Sequence, residues 1–227
     1  MDSLDLQFEA TRSSGNVSAL LLRPASACCL LVFGHGAGAG MKHAFMEAMS
    51  ARLAARDVAT FRYQFPYMEQ GRRRPDYQNI LLETARSAVS AATAAAPDLP
   101  LLAGGKSMGG RMTSMAAAKE EFAGVRGLAF FGFPLHPIGK PGTDRGDHLD
   151  DVTVPMLFLQ GTRDKLADLE LLKPVVARQG ARATLHVVEG ADHGFHVLKR
   201  SGRTDDEVQD EVADAMASWA RQVLAAG

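Results

Sequence analysis

Cysteine, charge imbalance and long apolar runs are all scarce in this chain, and each shortage removes a class of protein. Its 227 residues hold two cysteines, Cys28 and Cys29, side by side in an apolar stretch. Neighbouring strand positions point to opposite faces, so the two thiols are expected to be reduced and packed, not bridged. Lysine plus arginine number 25 against 26 aspartate plus glutamate, a formal net charge of -1. That balance leaves no electrostatic footprint for nucleic acid or an anionic membrane. No apolar run approaches the roughly 20 residues that a bilayer span needs. Residues 1–10 carry Asp2, Asp5 and Glu9 and no long apolar core. A secretory signal is therefore unsupported, and a reducing, cytoplasmic location is the expectation. The one basic run, Arg72-Arg73-Arg74, lies between Gly71 and Pro75 and reads as a solvated loop tip, with recognition of an acidic substrate group as its rival. Nor is there a linker, an internal repeat or a low-complexity tract. With 46% apolar and 22% charged residues, the composition fits one soluble globular domain over 1–227.

What the chain has in quantity is alternation. Residues 4–10 and 17–23, joined by Ser13-Ser14-Gly15-Asn16, read as an antiparallel hairpin. Strand-like runs then follow at 28–33, 58–63, 100–103, 125–131, 154–160 and 183–188. Helix-like stretches fall between them at 43–56, 76–96, 108–119 and 166–178, and one at 204–225 closes the chain. The last opens on a capping pattern, Thr204-Asp205-Asp206-Glu207. This order predicts an α/β fold with a mostly parallel twisted sheet, helices on both faces and the hairpin at one end. About twenty residues separate 131 from 154, too few for a helical lid, so an open site is expected.

One short segment carries chemistry. Gly105-Lys106-Ser107-Met108-Gly109 is a G-x-S-x-G pattern lying between an apolar run and a Met- and Ala-rich stretch with strong helix propensity. Strand, tight turn and helix in that order present a serine hydroxyl at the apex, and glycines two residues either side keep Cβ atoms out of the bend. Gly105-Lys106-Ser107 also ends the phosphate-loop pattern G-x-x-x-x-G-K-[ST]. That pattern requires glycine where Pro100 stands.

A serine hydroxyl needs a base and a group to orient the base, and in this kind of sheet they follow in the order Ser, Asp, His. Asp164 lies just past the strand at 154–160, and His193 just past the one at 183–188. Both positions are carboxyl ends of parallel strands, where α/β sheets collect their ligands. Asp168 is the second choice for the acid; His186 and His196 compete for the base. An oxyanion hole is expected from the backbone N–H groups of Met108 and of Ala37, in the loop Gly34-His35-Gly36-Ala37-Gly38. That loop also fits a dinucleotide fingerprint, Gly34-x-Gly36-x-x-Ala39, but Arg62 and Tyr63 end the next strand where an acidic residue would be needed.

Three segments together, Phe33-Gly34-His35-Gly36-Ala37-Gly38, Arg62-Tyr63-Gln64-Phe65-Pro66 and Gly104-Gly105-Lys106-Ser107-Met108-Gly109-Gly110-Arg111, resemble small lidless α/β-hydrolases of the dienelactone-hydrolase-like group. Within it they look closest to the branch of testis-expressed protein thirty and the third subunit of the NSL acetyltransferase complex. The resemblance runs from about Leu30 to Phe195. It implies Ser107 as nucleophile, Asp164 as acid and His193 as base. Dienelactone hydrolase itself is similar but uses cysteine where this chain has Ser107, which argues against dienelactone chemistry.

The resulting expectation is a serine hydrolase that cleaves a carboxylic ester or thioester of a small molecule, with no cofactor and no metal. His35, Arg62, Tyr63 and Phe133 are the expected substrate-binding residues; His43, Phe65, Arg111 and residues 134–136 are further candidates. Two alternatives stand beside it: a hydrolase-like scaffold or binding protein with an idle triad, and acyl transfer to an acceptor other than water. The first predicts His193 far from Ser107, or its hydroxyl buried.

Overall fold

The computed structural model describes residues 3–226. An eight-stranded sheet runs in the order β1-β2-β4-β3-β5-β6-β7-β8. Its strands are β1 (Leu4–Thr11), β2 (Gly15–Leu22), β3 (Cys29–Gly34), β4 (Val58–Tyr63), β5 (Leu101–Lys106), β6 (Val125–Phe131), β7 (Met156–Gly161) and β8 (Ala183–Val188). The hairpin β1–β2 is antiparallel and joins β4 antiparallel; every pairing from β4 to β8 is parallel. The expected architecture is the observed one.

β3, β4, β5 and β7 are buried at every residue. Their near-continuous apolar sequence has the usual cause: helices cover both faces, so no strand face meets water. α1 (Ala44–Ala54) and α6 (Asp205–Ala225) seal one face, where Phe45, Met49, Leu53, Val212 and Met216 meet Leu31, Phe33 and Leu157. α3 (Gln78–Ala95), α4 (Met108–Lys119) and α5 (Leu169–Arg178) seal the other, where Leu82, Ala88, Met112 and Leu172 meet Leu30, Val32, Ala103 and Phe158. α2 (Pro66–Glu69), a single turn opened by proline, lies in what the sequence predicts as a polar loop.

The boundary differences have physical causes. The apolar pattern ends β5 at residue 103, whereas the strand continues through Gly104 and Gly105 to Lys106. Glycine scores poorly as a strand former, but here the neighbouring backbones leave no room for anything larger. α3 begins two residues late because the Asp76 carboxylate accepts the Tyr67 N–H at 2.8 Å and pairs with Arg72. α5 begins at Leu169, since Asp168 caps it through the Glu170 N–H at 2.8 Å. Thr204 and Glu207 form the expected capping box on α6.

Residues 132–155 make no lid. They hold a 3₁₀ turn (Asp144–Asp151) that packs on α4, with His148 Nε2 2.8 Å from Ser114 Oγ. Ser107 and His193, just past the carboxyl ends of β5 and β8, stay partly exposed.

Candidate active site

β5 passes into α4 through Ser107, whose backbone is held at φ 50° and ψ -114°. A non-glycine residue there is strained, and such strain persists only where the surroundings over-determine it. Here they do. A Cβ on Gly105 would lie 2.4 Å from the Gly34 carbonyl oxygen, and one on Gly109 would lie 2.3 Å from the same atom. Only glycines let β3, β5 and α4 close on each other, and the closure leaves Ser107 no other path.

The two partners arrive from the ends of β7 and β8. Ser107 Oγ is 2.8 Å from His193 Nε2, and His193 Nδ1 is 2.7 Å from Asp164 Oδ2. The Asp164 carboxylate is fully buried, and it also accepts hydrogen bonds from Gln160 Nε2 and, at 2.8 Å, from the Leu166 N–H. Its orientation is thereby set before the imidazole binds it. With the carboxylate on Nδ1, the ring proton belongs there, and Nε2 is free to accept the serine proton.

The loop after β3 lies beside the hydroxyl. A Cβ on Gly36 would be 3.8 Å from Ser107 Cβ. Ser107, His193 and Ala37 border a cavity of about 550 Å³ whose walls are Ala39, Phe45, Met46 and Leu166, with His43 and Gln209 among its polar lining. A second hollow, of about 460 Å³ between Arg126, Pro155 and Trp219, sits at the amino ends of β6 and β7, away from these groups.

Residues 27–221 match the family model described as alpha/beta hydrolase domain. The chain belongs to that family. The α/β hydrolase fold is shared with solved structures at low sequence identity. Dienelactone hydrolase from Anabaena variabilis is 17% identical with a TM-score of 0.74, over 98% of this chain and 99% of that one. A lidless serine hydrolase from Xanthomonas campestris is 18% identical with a TM-score of 0.75, over 96% and 95%. Est1E from Butyrivibrio proteoclasticus is 17% identical with a TM-score of 0.67, over 97% and 99%. Among the described residues, no helix of this α/β hydrolase is long and apolar enough to cross a membrane.

The residues expected to bind substrate lie away from this cavity. His35, Arg62, Tyr63 and Phe133 are all buried and none borders the cavity. Tyr63 and Phe133 are packed among aromatic neighbours, Phe133 in edge contact with Phe130 and Phe158. Arg62 donates to the Met41 carbonyl at 3.1 Å, and burial pulls its guanidinium below the ordinary value. His35 braces the loop after β3. Its Nε2 accepts the Phe65 N–H at 3.2 Å, which leaves Nδ1 to donate to the Gly36 carbonyl at 2.7 Å. Burial lowers His35 to about 4, so the ring is neutral at pH 7. All four lie close in sequence to strand ends, but the loop after β3 closes on the segment after β4, through the Gly38 N–H to Tyr67 and the Met41 N–H to Gln64, and Phe133, past β6, packs into the core.

Of the wider candidates, only His43 reaches the cavity; it also caps α1, its Nδ1 accepting the Phe45 N–H at 3.2 Å. Phe65 is core, and His136 Nε2 accepts the Asp168 N–H at 2.9 Å. The competitors for triad roles have other partners. Asp168 is the α5 cap, His186 pairs with Glu211 at 2.9 Å, and His196 pairs with Asp205 at 2.7 Å.

Sequence reasoning missed Gln160 and Lys106. Gln160 is buried between the Phe133 N–H and Asp164, a link that needs β6 and β7 side by side. Lys106 had a signal that went unused: a charged residue inside an apolar strand, next to the serine.

Proposed function

We propose that this α/β hydrolase is a serine hydrolase that cleaves a carboxylic ester or thioester of a small molecule through an acyl-enzyme on Ser107. The chain of hydrogen bonds from Ser107 through His193 to Asp164 carries the reading. A scaffold with an idle triad predicts these groups apart, and they are in contact.

In the reaction so read, Ser107 Oγ attacks the acyl carbon while His193 Nε2 takes its proton. Asp164 holds the imidazolium that forms. Charge gathers on the former carbonyl oxygen, which the N–H groups of Met108 and Ala37 receive; Met108 opens α4, where backbone N–H groups have no partner within the helix. The carbon–oxygen or carbon–sulfur bond then breaks, and His193 returns the proton to the leaving group. Water repeats the sequence on the acyl-enzyme and frees the acid. The apolar walls of the cavity suit the hydrocarbon part of such a substrate.

The finer affinity, to the branch of testis-expressed protein thirty and the NSL subunit, belongs to the same proposal and is supported by the Gly-Gly-Lys-Ser-Met-Gly segment. So does a reducing, cytoplasmic setting, supported by two free thiols, Cys28 and Cys29. Labelling with a fluorophosphonate probe tests the central claim. Wild type is expected to label and Ser107→Ala not to; folded wild type that stays unlabelled would overturn it.

A further inference from the structure

Lys106 fills the variable position of the elbow, where the motif asks nothing of the side chain. The fold, however, asks a good deal. Lys106 is 9% exposed, and a buried ammonium is costly unless something compensates it. Its hydrogen bond among the described residues runs to a backbone carbonyl, that of His193. Nζ also lies 5.6 Å from the ring centroid of Phe45 and 5.3 Å from that of Phe195. Those two rings stack on each other at 5.7 Å and 14°. An ammonium over aromatic faces gains most where water is excluded. Asp164 and Asp192 act on it from farther off, and they offset part of the burial that brings Lys106 down to about 8.

The residue it holds is the base. The turn bearing His193 is tied mostly within itself. Asp192 Oδ1 accepts the Gly194 N–H at 2.8 Å and the His196 N–H at 3.0 Å, and the Phe195 N–H reaches the Asp192 carbonyl at 3.0 Å. Phe195 is fully buried at φ 64°, in the left-handed region that a side chain avoids. The bond to Lys106 ties this turn to the strand that carries the nucleophile, although β6 and β7 separate β5 from β8 in the sheet.

Gly132 shows how close the two groups come. It follows β6 at φ +72°, and a Cβ there would lie 3.0 Å from Lys106 Nζ and 3.3 Å from His193 Nδ1. The ammonium and the imidazole use the space that a missing side chain leaves.

We infer that Lys106 is a positioning residue for the base: held between the stacked Phe45 and Phe195 rings and the His193 carbonyl, its ammonium sets the reach of His193 Nε2 to Ser107 Oγ. The inference rests on the serine-hydrolase reading above. A displacement of about 1 Å at such a contact costs on the order of a hundredfold in rate.

The test compares wild type with Lys106→Met and Lys106→Gln in the full chain. Fluorophosphonate inactivation rate, kcat and KM for p-nitrophenyl acetate, and amide exchange over residues 192–196 are read together. A folded Lys106→Met is expected to lose roughly ten- to hundredfold in kcat and in inactivation rate. KM should hold within about threefold, and amides 194–196 should exchange faster. A folded Lys106→Met that inactivates at the wild-type rate overturns the inference. Should that variant not fold, Lys106→Gln carries the same comparison; if neither folds, Lys106 is a folding residue and the inference fails. Wild type that does not label at all sinks the serine-hydrolase reading instead, and the exchange data still decide whether Lys106 holds the turn.

Discussion

Replacing Asp164 by asparagine separates the two things a triad carboxylate does, because its surroundings choose which way the amide must face. Oδ2 accepts from His193 Nδ1 and Gln160 Nε2, while Oδ1 accepts from the Leu166 N–H. With the amide oxygen toward His193 and Gln160, both keep their acceptor, and the NH₂ faces the Leu166 N–H. That single buried conflict costs roughly 1–3 kcal/mol. The opposite placement sets NH₂ against Gln160 Nε2 and forces the proton from His193 Nδ1 to Nε2, two conflicts instead of one. The first placement therefore wins, the tautomer survives and only the charge is lost. With charge centres about 4 Å apart and an effective dielectric constant of about 20, the attraction forgone is about 4 kcal/mol. At 1.36 kcal/mol per decade this is on the order of a thousandfold in rate. It should fall on kcat, since the imidazolium exists only once Ser107 has given up its proton. A lost tautomer would cost nearer ten-thousandfold. The assay is steady-state hydrolysis of p-nitrophenyl acetate by Asp164→Asn, with urea unfolding alongside. A kcat within tenfold of wild type would refute the role given to Asp164.

Other expectations follow from single environments. His35 is lowered from 6.5 to about 4, so the native state refuses a proton that the unfolded chain takes between those values. Its contribution, about 3 kcal/mol, is complete above pH 6.5 and drains away as pH falls toward 4. Urea titrations at pH 7 and 4.5 should show that loss; the same pH dependence in His35→Asn would count against it. Gly109→Ala drives a Cβ to 2.3 Å from the Gly34 oxygen and should cost more than about 3 kcal/mol, whereas Gly38→Ala, with nothing within 4 Å, meets only its positive φ, about 1 kcal/mol. Similar melting temperatures for the two would contradict the packing described. Ala39→Phe narrows the cavity wall and should shift preference toward shorter acyl chains, read as kcat/KM over C2, C4 and C8 p-nitrophenyl esters. An unchanged ratio would mean that the acyl group lies elsewhere.

The parts of the site legible in the sequence are those whose signal is local. Ser107 stood out because an elbow needs glycines at fixed offsets, and Asp164 and His193 because each follows a strand at its carboxyl end. The expected binding residues fall outside the cavity for the converse reason. Arg62 and Phe133 also stand at strand ends, but whether a strand end faces a cavity or is roofed by another loop depends on segments far away in the chain. Helix starts slipped where a side chain took a tertiary partner, as Asp76 did with Tyr67.

Periodicity and turn chemistry along the chain were enough to determine a parallel sheet with an antiparallel hairpin, the order of its helices and the three residues, Ser107, His193 and Asp164, that form one hydrogen-bonded chain, since each depends on near neighbours or on strand polarity. Only the tertiary structure decided which side chains wall the cavity, that His35 braces a loop away from it, that Gln160 bonds Asp164, and that the lysine beside Ser107 reaches the His193 carbonyl. Those facts depend on which strands lie side by side, and on where a missing Cβ lets two distant segments touch.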